Sequence, residues 1–563
     1  MKEQYDFDAI VVGSGITGGW AAKELTEAGL KTLVLEAGGP IDPARDFVEH
    51  VQPYEVPYRV WGDRTPLKRE RPVQTDCYAC DEIGHKFFVN DLENPYTHPD
   101  EAPFAWFRGR QVGGRSITWG RQVYRWSDLD FEANAKDGHG TDWPIRYKDL
   151  APWYSHVEKF IGISGAREGL AQLPDGEFLA PMQMTAVEHT ARQRILKSFN
   201  GERLMTIGRA AVLTENHNGR AACHYCGPCE RGCITHSYFN SIGSTLPAAN
   251  ATRNLTLRAH SVAAELTYDA KLGRIRGVRV IDANTLKDTE YKARVVFLCA
   301  SAIESVRLLL NSKSAQFPDG LANSSGTLGR FVMDHHYGSG ASGAMNGFED
   351  RQTFGHRPNG IYIARFRNVS SPHPEFLRGY GMQGGSSRSD WHRGATMQGY
   401  GADFKKSLLF EPGPWRLSAA GWGETLPHPD NRVSIDPDVK DKWGIPAARM
   451  DVRWRENERA MQRDMMTAMA EMLEAAGCSD IKLQPVDHPP GHCIHEMGGA
   501  RMSVTRDVGV LNAWNQAWDV HNLFVTDGAC MASTACQNPS ITYMALTARA
   551  CDYAVGRMRR NEL

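Results

Sequence analysis

The sequence has no excess of positive charge. Lys and Arg total 64 against 66 Asp and Glu, a formal charge of -2. A cationic surface able to hold a phosphate backbone is therefore not expected, which excludes nucleic acid as the main partner. No stretch approaches the ~18 apolar residues of a membrane span. The most apolar runs, around Ala9–Val12 and Val295–Ala300, are of strand length. A secretory leader is also not expected: Met1-Lys2-Glu3-Gln4-Tyr5-Asp6 places acids where an apolar stretch would stand. Twelve cysteines in 563 residues are too few for a disulfide scaffold. There is no C-x-x-C-H for covalent haem, and no internal repeat or low-complexity segment. Apolar residues at 41% and charged residues at 23% describe an ordinary globular chain. Its length exceeds one compact core, so two intertwined or sequential domains are expected.

Glycine is abundant, with 54 residues, and its placement is informative. The apolar run Ala9-Ile10-Val11-Val12 reads as a buried parallel strand. It runs into Gly13-Ser14-Gly15-Ile16-Thr17-Gly18-Gly19 and a helical stretch through Trp20–Leu25 that ends at Gly29. A second strand follows at Thr32–Glu36. This is a β-α-β unit of about 30 residues. In G-x-G-x-x-G, Gly13 permits the tight turn, Gly15 lets the backbone approach a pyrophosphate, and Gly18 lets helix pack on strand. The helix N-terminus faces the negative charge. Glu36 can accept hydrogen bonds from ribose hydroxyls. The unit binds a dinucleotide.

Farther along, residues 40–105 read as an irregular excursion and 215–240 as a Cys- and Gly-rich loop. Strands resume near 255–266, 275–282 and 294–300, and Ala302–Asn311 reads as helix. Residues 331–485 change to alternating strands, aromatics and turns. They include a helix near 457–476 whose Met461, Met465, Met469 and Met472 stripe is core packing. The last 75 residues return to strand, turn and helix.

Five segments together resemble the glucose–methanol–choline (GMC) oxidoreductases. They are GSGITGG with Glu36; VGGRSITWG at residues 112–120; Cys299-Ala300-Ser301-Ala302-Ile303-Glu304-Ser305; His495-Glu496-Met497-Gly498-Gly499-Ala500-Arg501-Met502; and Val525-Thr526-Asp527-Gly528 with Asn538-Pro539-Ser540. The resemblance runs from residue 5 to about 557. It implies FAD and an α/β fold: a Rossmann-like FAD-binding domain intertwined with a substrate-binding domain built on an antiparallel sheet backed by helices. The expected division is 1–330 for FAD, 331–485 for substrate, and 486–563 returning to the FAD domain with the catalytic motifs. By the resemblance Gly114, Ser116, Val262, Asp527 and Gly528 join the glycine loop around the flavin. Thr118 stands where some relatives carry a flavin-linked His, so non-covalent FAD is expected.

Alcohol oxidation by a flavin needs a base for the hydroxyl proton, and histidine suits that task near neutral pH. Of 20 histidines, the resemblance puts His495 in the base position. Asn538 takes the second position, able to orient the substrate oxygen but not to take a proton. His492 is a weaker candidate for a substrate contact. Asp334-His335-His336 reads as structural. Trp119, Trp415 and Trp422 are candidates for stacking on a sugar ring.

Cys223, Cys226, Cys229 and Cys233 follow C-x2-C-x2-C-x3-C, the spacing of bacterial ferredoxin motifs. Soft iron–sulfur cores select thiolates. Zinc, disulfides or inert thiols are the alternatives. Within the GMC group a branch of sugar dehydrogenases carries a [3Fe-4S] cluster on C-x5-C-x3-C. That pattern falls on Cys223, Cys229 and Cys233, while Cys226 keeps a [4Fe-4S] cluster open. Cys77 and Cys80 are a packed or free pair, or a remote ligand. That branch comprises flavoprotein large subunits acting on glucosides, glucose or gluconate. It implies oxidation of a sugar or glycoside, favouring C3 of glucosides, with electrons leaving through the cluster to a cytochrome c-type acceptor. It also implies a small subunit bearing the export signal, and hence a periplasmic location, with a cytoplasmic one as the alternative. An oxygen-using oxidase with a structural Cys loop and a non-catalytic metal-bearing subunit are the rival readings.

Overall fold

The computed structural model describes residues 5–52, 55–56 and 62–563. Of the irregular excursion, 53–54 and 57–61 lie outside those residues, as do Met1–Gln4 of the leader reading.

The first sheet has seven strands. Phe7–Val12 lies at its centre, parallel to Thr32–Leu35 on one side and to Ala293–Leu298 on the other. Leu255–Arg258 and Leu523–Val525 add further parallel strands. Both faces are covered. Ala9 and Val11 pack with Leu25, Phe297 and Ala554, while Ile10 and Val12 pack with Trp20, Val296 and Leu298. A strand buried on both faces reads as a continuous apolar run, which is why 9–12 was recognisable. The strand Asp288–Leu298 is longer than its parallel partners. Its first half runs antiparallel to Arg274–Asp282, which pairs in turn with Ser261–Asp269.

Gly13 has φ +97°, and a Cβ there would stand 2.4 Å from the Cys299 carbonyl oxygen. The chain can turn this tightly from strand into the helix Ile16–Glu27 only without a side chain.

The second sheet has six antiparallel strands, in the order Ser479–Gln484, His336–Met345, Trp415–Gly423, Tyr380–Arg388, Ile361–Ile363, Met205–Ile207. It takes its last strand from well before residue 331. The helix Glu456–Ala476 packs on one face, burying Met461, Met465, Met469 and Met472 against Leu417 and Ala419. Each buried Met side chain contributes about 1.5–3 kcal/mol of transfer free energy. The opposite face of this sheet is turned toward the carboxyl ends of the parallel strands, where open α/β sheets bind ligands.

Candidate active site

A cavity of about 620 Å³ lies between the two sheets. Its floor is made by the carboxyl ends of the parallel strands, at Val12, Leu35, Cys299 and Asp527. Gly13, Gly15, Glu36, Gly114, Ser116, Val262, Asp527, Gly528, His495 and Asn538 all line it, as does Thr118. These ten sequence candidates, drawn from six distant stretches of chain, are thus brought together. Gly18 is the exception and does not line the cavity. A Cβ there would fall 2.0 Å from the Gly13 carbonyl oxygen, so this glycine supports the turn from behind.

The glycine loop fits a phosphate-bearing ligand. Gly15 caps the helix Ile16–Glu27 with no side-chain hydrogen bond, leaving the N-terminal amides open to the cavity. Gly15 and Gly114 approach so closely that a Cβ on Gly114 would stand 3.0 Å from the Gly15 Cα. The Glu36 carboxylate accepts from the Ser14 amide at 3.1 Å, the Ser14 hydroxyl at 2.6 Å and the Gly38 amide at 2.9 Å. It therefore holds the loop as well as facing the cavity, and burial raises its pKa. Ser14 accepts from the Gly113 amide at 3.0 Å, tying the two glycine loops together. Asp527 accepts from the Ala529 amide and the Ser305 hydroxyl, and burial pushes its pKa up to about 6. The buried hydroxyl of Tyr543 lines the cavity with no hydrogen-bond partner among the described residues, an unmet polar group that a cofactor can satisfy.

At the other end stand His495 and Asn538, with His495 Nε2 3.5 Å from Asn538 Nδ2. Asn538 Oδ1 accepts from Gln383 Nε2 at 2.7 Å. The loop carrying His495 is pinned by Asp334, whose carboxylate accepts from the amides of Gly491, Cys493 and His495 at 2.9, 3.2 and 3.0 Å. Burial and the neighbouring Glu496 push the Asp334 pKa up to about 7, against three amides that favour its ionised form. Burial lowers the pKa of His495 well below its ordinary value. Arg115 lines the cavity close by and pairs with Glu496 at 2.9 Å.

The second sheet supplies Tyr337, Gln383 and Trp422 to the cavity wall. Tyr337 and Trp422 are cross-strand partners with rings 5.3 Å apart. The Tyr337 hydroxyl bonds His492 Nδ1 at 2.9 Å, so His492 does line the site. Trp119 and Trp422 reach the cavity, but Trp415 does not. Trp415 is buried against the methionine helix with its indole N–H donating to the Phe348 carbonyl.

Asp334-His335-His336, read from sequence as structural, holds two residues that act on the site. Asp334 orders the loop, and His335 Nδ1 lies 2.9 Å from His495 Nδ1. The contact spans 160 positions of sequence, and no local spacing announces it. His335, Cys493 and His495 form the one group of three potential metal ligands within 4.8 Å of one another among the described residues.

Cys223, Cys226, Cys229 and Cys233 line a second, smaller cavity with Glu49, His224, His356 and Tyr238. All four thiols are free. Positive φ at Tyr225, Gly227 and Gly232 curls the loop around this cavity. Burial pushes Cys226 and Cys229 up to about 11. Cys77 and Cys80 lie elsewhere, packed with Phe47, Phe87 and Phe107, and neither lines this cavity. The segment 117–121 touches both regions, the Ile117 carbonyl accepting from the Tyr238 hydroxyl. Trp119 and Arg121 line the large one, while Trp119 also packs in the cluster that contains Cys233, Tyr238, Cys223 and Cys229. Arg121 sits 5.5 Å over the Tyr238 ring.

Two GMC oxidoreductase family models match the chain, over residues 7–336 and 427–547. A 2-methyl-1,2-propanediol dehydrogenase of Mycolicibacterium austroafricanum is 30% identical over 97% of this chain and 94% of its own. The fructose dehydrogenase large subunit of Gluconobacter japonicus is 25% identical over 99% of both. Among solved structures, a pyridoxine 4-oxidase superposes with a TM-score of 0.62 at 16% identity, over 97% of this chain and 98% of its own. A formate oxidase variant of Aspergillus oryzae gives 0.64 at 13%, over 100% of both chains, and these two speak for the fold alone. The chain belongs to the GMC oxidoreductase family, whose FAD-binding members oxidise CH–OH groups.

Proposed function

We propose that this chain is an FAD-dependent dehydrogenase of a secondary alcohol on a sugar or glycoside, with C3 of glucosides as the favoured position. The observation that carries the reading is the facing pair His495 and Asn538 at the end of a cavity whose other end is the glycine loop. FAD, when bound without a covalent link, supplies the hydride acceptor. His495 takes the hydroxyl proton at Nε2, and Asn538 donates a hydrogen bond to the same oxygen through Nδ2. Gly13, Gly15 and the helix they open hold the pyrophosphate, Glu36 the ribose, Val262 the adenine, and Gly114, Ser116, Asp527 and Gly528 the rest of the cofactor. Tyr337, Trp422, His492 and Gln383 give the substrate end aromatic faces and hydrogen-bonding groups, the mixture a polyhydroxylated ring needs.

Cys223, Cys229 and Cys233 are the proposed ligands of an iron–sulfur cluster, [3Fe-4S] with three thiolates or [4Fe-4S] if Cys226 joins. Such a core would supply one-electron transfer toward an external cytochrome c-type acceptor. The C-x2-C-x2-C-x3-C spacing, with all four thiols free and lining one small cavity, supports the iron–sulfur reading. Trp119, which lines the large cavity and packs in the cluster that holds Cys223, Cys229 and Cys233, supports electron exit on that side. The large-subunit relative from Gluconobacter supports a smaller partner, which we propose carries the export signal to the periplasm. No helix among the described residues is long and apolar enough to cross a membrane.

A second reading is favoured by the 30% relative, whose name gives a short branched diol as substrate. Anaerobic addition of glucosides, glucose, gluconate and small diols to the purified protein, with iron and sulfide assayed, separates these readings. The proposal expects the flavin to bleach with a glucoside and iron to be present. Bleaching with diols alone moves the substrate to the second reading, and absence of iron and sulfide removes the cluster.

A further inference from the structure

We infer that His335 fixes the tautomer of His495 by accepting its Nδ1–H, and that this hydrogen bond strengthens once Nε2 of His495 takes a proton. This rests on the reading of His495 as the base. His335 is buried just ahead of the strand His336–Met345. Its Nε2 lies 3.2 Å from the Thr534 carbonyl oxygen and 3.0 Å from that of Ala535. Carbonyl oxygens only accept, so this nitrogen carries the proton. Burial pushes the His335 pKa down to about 4, so the ring is neutral and has one N–H. Its Nδ1 is therefore a lone pair, 2.9 Å from Nδ1 of His495. Two lone pairs do not share that distance, so His495 carries its proton on Nδ1 and donates it to His335. The perpendicular rings, with centroids 5.0 Å apart, suit an edge-on hydrogen bond and not a stack.

Nε2 of His495 is then left bare. A second chain of hydrogen bonds reaches the same assignment from the opposite side. Gln383 occupies Asn538 Oδ1, so the Asn538 atom turned toward His495 Nε2 is the donor Nδ2. A proton on Nε2 would set donor against donor. When Nε2 takes the substrate proton, the Nδ1–H bond to neutral His335 becomes charge-assisted, and such bonds are roughly twice as strong as neutral ones. No proton leaves His335. It is a positioning residue. The other titratable groups around the pair are Asp334, His336, the Cys493 thiol at 3.4 Å from His495 Nδ1, and Arg115 paired with Glu496.

Two variants of the FAD-loaded protein test this. His335→Leu removes the acceptor. His335→Asn keeps one in place of Nδ1. With FAD still bound and KM within a few-fold of wild type, the Leu variant should reduce its flavin on the order of 10²–10⁴-fold more slowly. Its acid-limb kinetic pKa should fall, and the Asn variant should recover most of the rate. Ring-labelled ¹⁵N-histidine spectra give a readout free of turnover. The His495 signal, assigned by its loss in His495→Ala, should show a protonated Nδ1 and a bare Nε2. The opposite tautomer in the wild type, or a Leu variant with wild-type rate and pH profile, overturns the inference. If His495→Ala itself reduces flavin normally, the base reading has failed first. If only His335→Leu is indifferent, His495 stands and His335 falls.

Discussion

Single residues carry two kinds of duty in this molecule, and Glu36 shows both. Its carboxylate accepts three hydrogen bonds that shape the glycine loop, and it faces the cavity where a ribose is proposed to lie. Glu36→Ala should weaken FAD retention on the order of ten- to a hundredfold, since hydrogen bonds to a charged group contribute about 1.5–3 kcal/mol. Equilibrium dialysis with flavin fluorescence measures this, and wild-type retention would show that the acid is not needed. The placement of Glu36, Gly13 and His495 at one cavity was legible because each lies in a short patterned segment. His335 and Tyr543 were not, because their meaning comes from contacts made across the fold. The same holds for Asp334, whose carboxylate serves three amides at 491–495. Gly18 belongs to the same glycine motif but stands behind the residues that line the cavity.

At the scale of elements, periodicity was the most reliable guide. The strand 9–12, the helix Ala302–Asn311 and the methionine helix stand close to where the apolar pattern puts them. The tryptophan candidates show what parity could have added. Trp415 and Trp422 are seven residues apart on one strand and so point to opposite faces. One face meets the methionine helix and the other the cavity, so of these two only Trp422 lines it. His336 heads the neighbouring strand, buried, with neither ring nitrogen hydrogen-bonded among the described residues. Burial, with His335 beside it, pushes its pKa down to about 3. The unfolded chain takes up a proton near ~6.5 and the folded chain does not, so this group costs stability as pH falls below ~6.5. His336→Leu should therefore gain on wild type by about 2 kcal/mol between pH 8 and pH 5. Denaturant midpoints at the two pH values measure the difference; an equal gap at both contradicts it.

For the whole molecule, the two sheets divide the work. The parallel sheet presents glycine loops and acids at its carboxyl ends, and the antiparallel sheet faces them with Tyr337, Gln383 and Trp422. The chain crosses between the sheets several times, which is why the cavity gathers residues from 12 to 543. That gathering was readable only through the order of family motifs, since no single segment encodes it. The cysteine loop was visible as a pattern, yet its nearness to the main cavity through Trp119 and Arg121 emerges only in three dimensions. The central claim is that one cavity binds the flavin and that His495 is its base. The most direct test is anaerobic stopped-flow reduction of the bound flavin in His495→Ala with whichever substrate bleaches the wild type. The account predicts a full complement of FAD and a reduction rate lowered at least on the order of 10²-fold. Reduction at the wild-type rate, with FAD bound, would contradict it.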